Sequence, residues 1–263
     1  RLLEWSRSRP NLAYFGSIAA VWCVVAAAVA WLAGGATPGA WALLGVLALL
    51  AMPVGEVAVG FVNHALTLLL PPRVLAKLEF KKGIPDEYRT FVVIPTMLVK
   101  SHHAEGLLER LEIHYLSNPD PNLRFALLTD FADAPAEHMP DDRALIDDAL
   151  RRVRELNARY VAPGGEDLFY LFHRRRLWNP SQGSWMGWER KRGKLSEFNR
   201  ILRGGPVGGY DVLSVEPSRL PRFRYVVTLD SDTQMPRDTG VRLVGTIAHP
   251  LNRPMFDPAT GRV

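Results

Sequence analysis

Two carboxylates two residues apart, Asp230 and Asp232, close the run Tyr225-Val226-Val227-Thr228-Leu229. That run is mostly apolar and β-branched and contains no Gly or Pro, which predicts a buried strand over residues 225–229. In extended geometry residues i and i+2 point to one side, so both acids would face one ligand. Converging carboxylates repel each other unless a cation lies between them. A hard divalent ion, Mg²⁺ or Mn²⁺, held partly by substrate phosphates, suits such a pair. Asp-x-Asp by itself also fits an ordinary strand end followed by a turn. The strand before it and the β-α order upstream favour the metal, because ligands of open α/β sheets bind at the carboxyl ends of the strands.

Other residues could join that site. Asp130, with Asp133 just beyond, ends a second predicted strand. Gly193-Lys194 opens a predicted helix, whose free N–H groups and cation would suit a phosphate. Trp178, Trp185 and Trp188 share a loop with Arg190, Lys191, Arg192 and Lys194. For these tryptophans a sugar-stacking role and a packed or membrane-facing role fit equally well. His102-His103 lacks a third ligand at metal spacing, and His114 and His173 read as polar surface or satisfied core groups. Neither Gly-x-Ser-x-Gly nor a Cys-His arrangement is present to suggest nucleophilic catalysis.

The elements that must position these residues alternate. Residues 89–94 read as a strand ending at Pro95-Thr96. Residues 104–116 read as a helix with Leu107, Leu108, Leu111 and Leu116 on its apolar side, and residues 123–129 as a second strand ending at Asp130. Residues 142–160 form a helix with acids early, arginines late, and a stripe of Leu145, Ala149, Leu150, Val153 and Leu156. A short strand over 168–172, the basic aromatic loop, a helix starting at Gly193 and the strand ending in Asp230 complete the order. Strand-helix alternation implies an α/β fold, a mainly parallel sheet with right-handed crossovers, and Asp130 and Asp230 would share one rim. The Gly-Gly pairs at 164–165, 204–205 and 208–209 read as turns and not as phosphate cradles.

The chain has 263 residues, a formal charge of +5 and one cysteine, Cys23. No charge occurs between residues 10 and 55. Residues 11–33 are long enough to span a bilayer. Residues 34–39 make an uncharged turn, and a second apolar span runs from 40 or 41 to about 61, or as far as 70. Pro53, Gly55 and Glu56 interrupt it, and Glu56, costly in lipid, should face a helix, a polar cavity or an interface. A signal peptide fits poorly, since the first span is too long and a second follows. Arg1, Arg7 and Arg9 precede the pair and Arg73, Lys77, Lys81 and Lys82 follow it. The positive-inside rule then puts both ends in the cytoplasm. The expected division is a membrane hairpin over 1–70, a membrane-surface linker over 71–88 and an α/β domain over 89–263. The basic block at 174–194 suits a solvated surface or an anionic substrate; no zinc spacing, helix-turn-helix or aromatic-basic RNA motif supports a nucleic-acid partner.

The strand ending in Pro95-Thr96, Leu-Leu-Thr-Asp-Phe-Ala-Asp at 127–133, Lys-Arg-Gly-Lys-Leu-Ser-Glu-Phe-Asn at 191–199 and Thr-Leu-Asp-Ser-Asp-Thr at 228–233 together resemble the glycosyltransferases of GT-A fold. More closely, they are similar to the glycosyltransferase domain of bacterial cyclic β-1,2-glucan synthases, over the whole chain and including the membrane hairpin. The resemblance implies a multi-pass protein of the bacterial inner membrane, its soluble domain cytoplasmic, that transfers glucose from UDP-glucose to a glucan acceptor with inversion. It implies Mg²⁺ or Mn²⁺ on Asp230 and Asp232, with Asp230 also at the nucleotide sugar. Thr96 and Asp130, and Asp133 less directly, would lie by the uridine and Lys194 by the phosphates; Trp185 and Trp188 remain candidates for sugar stacking. The family's general-base acid and, for processive synthases, its Gln-x-x-Arg-Trp motif do not occur by Val263. The expectation is therefore a truncated fragment, its base downstream and its remaining domains in the same longer chain. A cellulose- or hyaluronan-type synthase, or a nucleotide-sugar-binding membrane module without transfer activity, would share most of these features.

Overall fold

The computed structural model describes residues 8–33, 39–70, 72 and 74–261. Arg1, Arg7, Thr37 with the rest of the turn at 34–38, Pro71 and Arg73 lie outside the described residues, and with them part of the flanking-charge argument. The chain divides into two compact units at Val74/Leu75.

The first unit holds two helices, α1 (Pro10–Ala33) and α2 (Gly39–Leu69). Pro10 stands at the first helical position, where its missing N–H leaves no bond unmade. Val54, Ala58 and Val62, spaced by four, are buried along α2. Tyr14 Oη donates to Asn63 Oδ1 (2.9 Å) and Trp22 Nε1 to the carbonyl of Ala51 (3.2 Å). Residues later in α1 thus meet residues earlier in α2, so the pair is antiparallel. Pro10–Leu32 and Ala48–Leu69 are each long and apolar enough to cross a membrane. Pro53, Gly55 and Glu56 do not interrupt α2. A proline inside a helix loses one backbone bond, which an otherwise unbroken apolar helix tolerates. Glu56 lies on the exposed side of α2 rather than packed against α1.

The second unit is a five-stranded sheet in the order β6-β3-β2-β1-β7. Its strands are β1 (Thr90–Leu98), β2 (Leu123–Phe131), β3 (Phe169–Arg174), β6 (Tyr210–Leu213) and β7 (Tyr225–Thr228); a separate hairpin pairs β4 (Leu177–Asn179) with β5 (Ser184–Met186). All pairings in the main sheet are parallel except β3 with β6. The helices are α3 (Ser101–Ser117), α4 (Asp142–Tyr160), α5 (Arg190–Leu202) and α6 (Thr239–Ala248). Period-2 alternation splits the central strands between two cores. Val92, Ile94, Phe125 and Leu127 pack with residues of α3, α4 and α6, whereas Phe91, Val93, Ala126 and Leu128 pack with Phe198 and Ile201 of α5. Strands buried on both faces read as unbroken apolar runs, which is why β1 and β2 are legible in the sequence.

The mostly parallel α/β sheet is as expected, with three departures. First, β7 is half-buried and stops at Thr228. It pairs with β1 alone among the described residues, so it is an edge strand, and an apolar composition cannot distinguish an edge from a centre. Second, Leu116 is exposed; it follows Leu111 by five positions, which turns it off the stripe. Third, residues 75–84, within the stretch 71–88 expected as a membrane-surface linker, belong to the second unit and bond within it: Leu78 N donates to Gly245 O (2.9 Å) and Ile84 N to Asp120 Oδ2 (2.8 Å).

Candidate functional site

Register brings the sequence-predicted residues to one rim. Thr96 lies opposite Thr129 and Met97 opposite Asp130, while Val93 lies opposite Thr228. The carboxyl ends of β1 and β2 align, with Leu98 opposite Phe131, whereas β7 stops level with Val93, five residues short of the end of β1; Asp130 lies inside β2 and Asp230 just past β7.

The rim has a sealed layer and an open one. In the sealed layer Asp130 is 2% exposed. Lys194 Nζ donates to Asp130 Oδ1 (2.6 Å) and to the carbonyl of Thr96 (2.5 Å). Arg174 Nη2 donates to Asp130 Oδ2 (3.0 Å) and to the carbonyls of Trp188 (3.0 Å) and Arg190 (3.1 Å), and its Nη1 reaches Glu197 Oε2 (3.4 Å). Two cations face two anions, so the cluster is balanced, as buried charges must be. Burial pulls the Lys194 ammonium below its ordinary pKa, and the Asp130 carboxylate opposes that shift. Arg174 Nε has no partner.

Glycines let the chain close over this cluster. A Cβ on Gly187 would overlap Asp130 Oδ2, and one on Gly193 would overlap the carbonyl oxygen of Trp188. Helix α5 starts at Arg190, three residues before the Gly193 predicted, and Glu189 and Arg190 take left-handed backbone angles (φ 47° and 39°). Gly193 N is already bonded to Glu189 O (3.0 Å). Gly193 therefore serves close packing, and the side chain of Lys194 is turned inward onto Asp130.

His173 is fully buried beside the cluster, with Nδ1 2.9 Å from Thr129 Oγ1, its ring 4.2 Å from that of Phe131, and Nε2 unpaired. Burial pushes its pKa down to about 4. The expectation of a surface or satisfied core histidine is thus half met. His114 is also buried, and burial followed by the nearby Arg110 charge lowers its pKa. His102 and His103 stand in the first turn of α3.

The open layer carries the remaining candidates. Arg190 Nη2 donates to Asp133 Oδ2 (2.7 Å), and Lys191 Nζ bonds the exposed Asp230 carboxylate. Thr233 N donates to Asp230 O (3.0 Å), closing a turn over 230–233. Asp232 therefore sits in a turn and not on a strand, and the two-residue spacing no longer sets its direction. It lines a cavity of about 500 Å³ with Arg110, His114 and Gln234, and Arg110 also bonds the carbonyl of Ser231. Trp185 lies in β5, bonded through its backbone in both directions to Ala134 (2.9 Å each) and 5.9 Å from the ring of Trp178, while Trp188 is half-exposed. Three or more His, Cys, Asp or Glu side chains do not converge at metal distance among the described residues.

Sequence reasoning missed Arg174, Glu197 and the pair Arg176–Asp142 (2.5 Å). The run Arg174-Arg175-Arg176 reads as a charged surface. β3 ends at Arg174, which turns toward α5, whereas Arg176 turns to Asp142 at the start of α4 and lies over the ring of Phe131; both are buried, and spacing within the run does not foretell it.

A mostly parallel α/β sheet with charged strand ends, in a chain that also holds two helices of membrane length, is the class these features define. Over 218 residues, 82% of its length, the chain is 44% identical to the cyclic beta-(1,2)-glucan synthase NdvB of Rhizobium meliloti (strain 1021). The matched stretch is 8% of the length of that protein, so the chain is similar to one segment of it, and the resemblance read from the four motifs is borne out. No protein-family model matches the chain.

Proposed function

We propose that this chain is the membrane-anchored, nucleotide-sugar-binding part of a glucan synthase, a GT-A-like glycosyltransferase that transfers glucose from UDP-glucose to a glucan acceptor with inversion. One observation carries the reading: Asp230 stands exposed past the carboxyl end of β7 and paired with Lys191, in a chain 44% identical to a segment of a cyclic glucan synthase. Helices α1 and α2 are read as the anchor in the bacterial inner membrane, and further domains of a longer chain as the partners that complete the enzyme.

The donor set suits Mg²⁺ or Mn²⁺ in its chemistry. Asp230 and Asp232 are exposed oxygen donors on one turn, and such ions take few protein ligands and complete their shell from phosphates and water. When bound, the ion supplies charge stabilisation to the departing diphosphate. The chain's own cations have separate tasks. Lys191 and Arg190, held at the rim by Asp230 and Asp133, attract and orient a diphosphate. Lys194 and Asp130 set the floor of the rim through Thr96, and Trp188 offers an exposed ring to a sugar face.

The test is UDP affinity by calorimetry on the detergent-solubilised chain, with and without Mg²⁺ or Mn²⁺, in wild type and Asp232→Asn. Metal-dependent UDP binding in the wild type, weakened in the variant, supports the reading. Wild-type affinity that ignores the metal removes the metal assignment, and no affinity for UDP in either condition removes the nucleotide-sugar reading.

A further inference from the structure

The second unit opens with an extended strap over residues 75–82. Its side chains alternate: Ala76, Leu78 and Phe80 are half-buried, while Leu75, Lys77, Glu79 and Lys81 are exposed. The strap lies along α6 because Leu78 N donates to Gly245 O (2.9 Å), and a Cβ on Gly245 would overlap the carbonyl oxygen of Leu78. Asn252 Nδ2 then donates to the carbonyls of Ala76 (2.6 Å) and Thr246 (2.7 Å). These bonds set the segment 250–256 beside the strap.

Large apolar side chains crowd the surface there. Leu251, Met255 and Phe256 are 83%, 84% and 65% exposed, and Leu75 is 57% exposed. Such a concentration marks an interaction surface. Lys77, Lys81, Lys82 and Arg253 are exposed along these segments, with Glu79 and Asp257, and Arg253 lines a cavity with Asp86, Glu87, Arg222 and Arg224. Apolar side chains alongside cations suit the interface of a bilayer carrying anionic lipids. Chain length favours the same occupant, because the apolar stretch of α2 ends at Leu69, and the five residues from 70 to 74 allow Leu75 at most about 20 Å of extended chain from it.

We infer that the strap and residues 251–256 form a lipid-docking surface, laid on the headgroup layer of an anionic membrane. The inference rests on the membrane reading of α1 and α2. It extends that reading to a second attachment contributed by the second unit, in which residues 169 or more positions apart in sequence act as one surface.

The test uses the full chain in vesicles of phosphatidylcholine and phosphatidylglycerol. In a Cys23→Ser background, single cysteines at Val24, Leu251, Met255 and Ser181 carry an environment-sensitive fluorophore, and nitroxide lipids serve as quenchers. Expected are loss of fluorescence at Val24 with acyl-chain nitroxide, loss at Leu251 and Met255 with headgroup-level nitroxide, and none at Ser181. Vesicles of phosphatidylcholine alone should weaken quenching at Leu251 and Met255 and leave Val24 unchanged. Quenching at Val24 with Leu251 and Met255 as unquenched as Ser181 overturns the inference and leaves the membrane reading standing. Blue-shifted but unquenched probes at Leu251 and Met255 also overturn it, since a protein segment then covers the surface. An unquenched Val24 removes the membrane reading itself, and this inference with it.

Discussion

Removing Asp130 discriminates between a binding and a structural role for the sealed layer. Asp130→Leu deletes the carboxylate that accepts from Lys194 Nζ at 2.6 Å and from Arg174 Nη2 at 3.0 Å. Two cations, each no more than 3% exposed, would then face Glu197 alone, and that carboxylate reaches only Arg174, at 3.4 Å. Breaking one partner of a buried ionic cluster costs about 3–5 kcal/mol. For a unit of this size each kcal/mol lowers Tm by roughly 2–4 °C, so the expected fall is about 6–20 °C. The double variant Asp130→Leu/Lys194→Met leaves Arg174 and Glu197 as a balanced pair and should recover most of that loss, because removing both charges avoids the uncompensated one. Near-UV circular dichroism of the solubilised chain measures the melt, and UDP calorimetry runs in parallel. A Tm change under about 3 °C for Asp130→Leu, with UDP binding abolished, would refute the structural argument and make Asp130 a ligand contact.

Three further outcomes follow from the same geometry. His173 stays neutral in the folded state down to about pH 4, while the unfolded imidazole binds a proton near its ordinary 6.5. Stability from this group is full above pH 6.5 and is lost as pH falls toward 4, by about 3 kcal/mol; His114 adds in the same direction. Urea melts across that window should show a smaller acid loss in His173→Gln than in wild type, and equal losses would exclude His173 as a source. Gly187→Ala and Gly193→Ala should each destabilise by about 1–3 kcal/mol or more through overlap with Asp130 and Trp188. Gly106→Ala, in α3 with nothing within 4 Å of the added carbon, should instead stabilise by about 0.5–1 kcal/mol; thermal melts that rank the three alike would contradict the packing. Trp188→Ala should leave Tm nearly unchanged and weaken glucan or UDP-glucose binding, and a fall of several degrees would give Trp188 a packing role instead.

Sequence and tertiary structure divided this protein along a physical line. Periodicity is local, so the sequence by itself determined the helix Asp142–Tyr160, the two long apolar helices, and two apolar strands, expected over 89–94 and 123–129 and found over 90–98 and 123–131. It also determined which residues carry charge at strand ends, since Asp130 and Asp230 follow apolar runs. Edge or centre was not legible for β7, because that depends on how many strands lie beside it. The hairpin at 177–186 and the antiparallel β6 were missed for a related reason: short strands in polar, Gly-rich sequence draw their stability from the partner they pair with. Whether a charge is sealed or open was a tertiary decision. Lys194 and Lys191 are three residues apart in one basic run and neighbours on one helix face, yet the first reaches the buried Asp130, 64 positions away, and the second, nearer the start of α5, meets the exposed Asp230. Strand register brought Arg174 to Asp130 across 44 positions. A buried cation persists only where a carboxylate meets it, and that meeting depends on the folded chain rather than on spacing within any one segment.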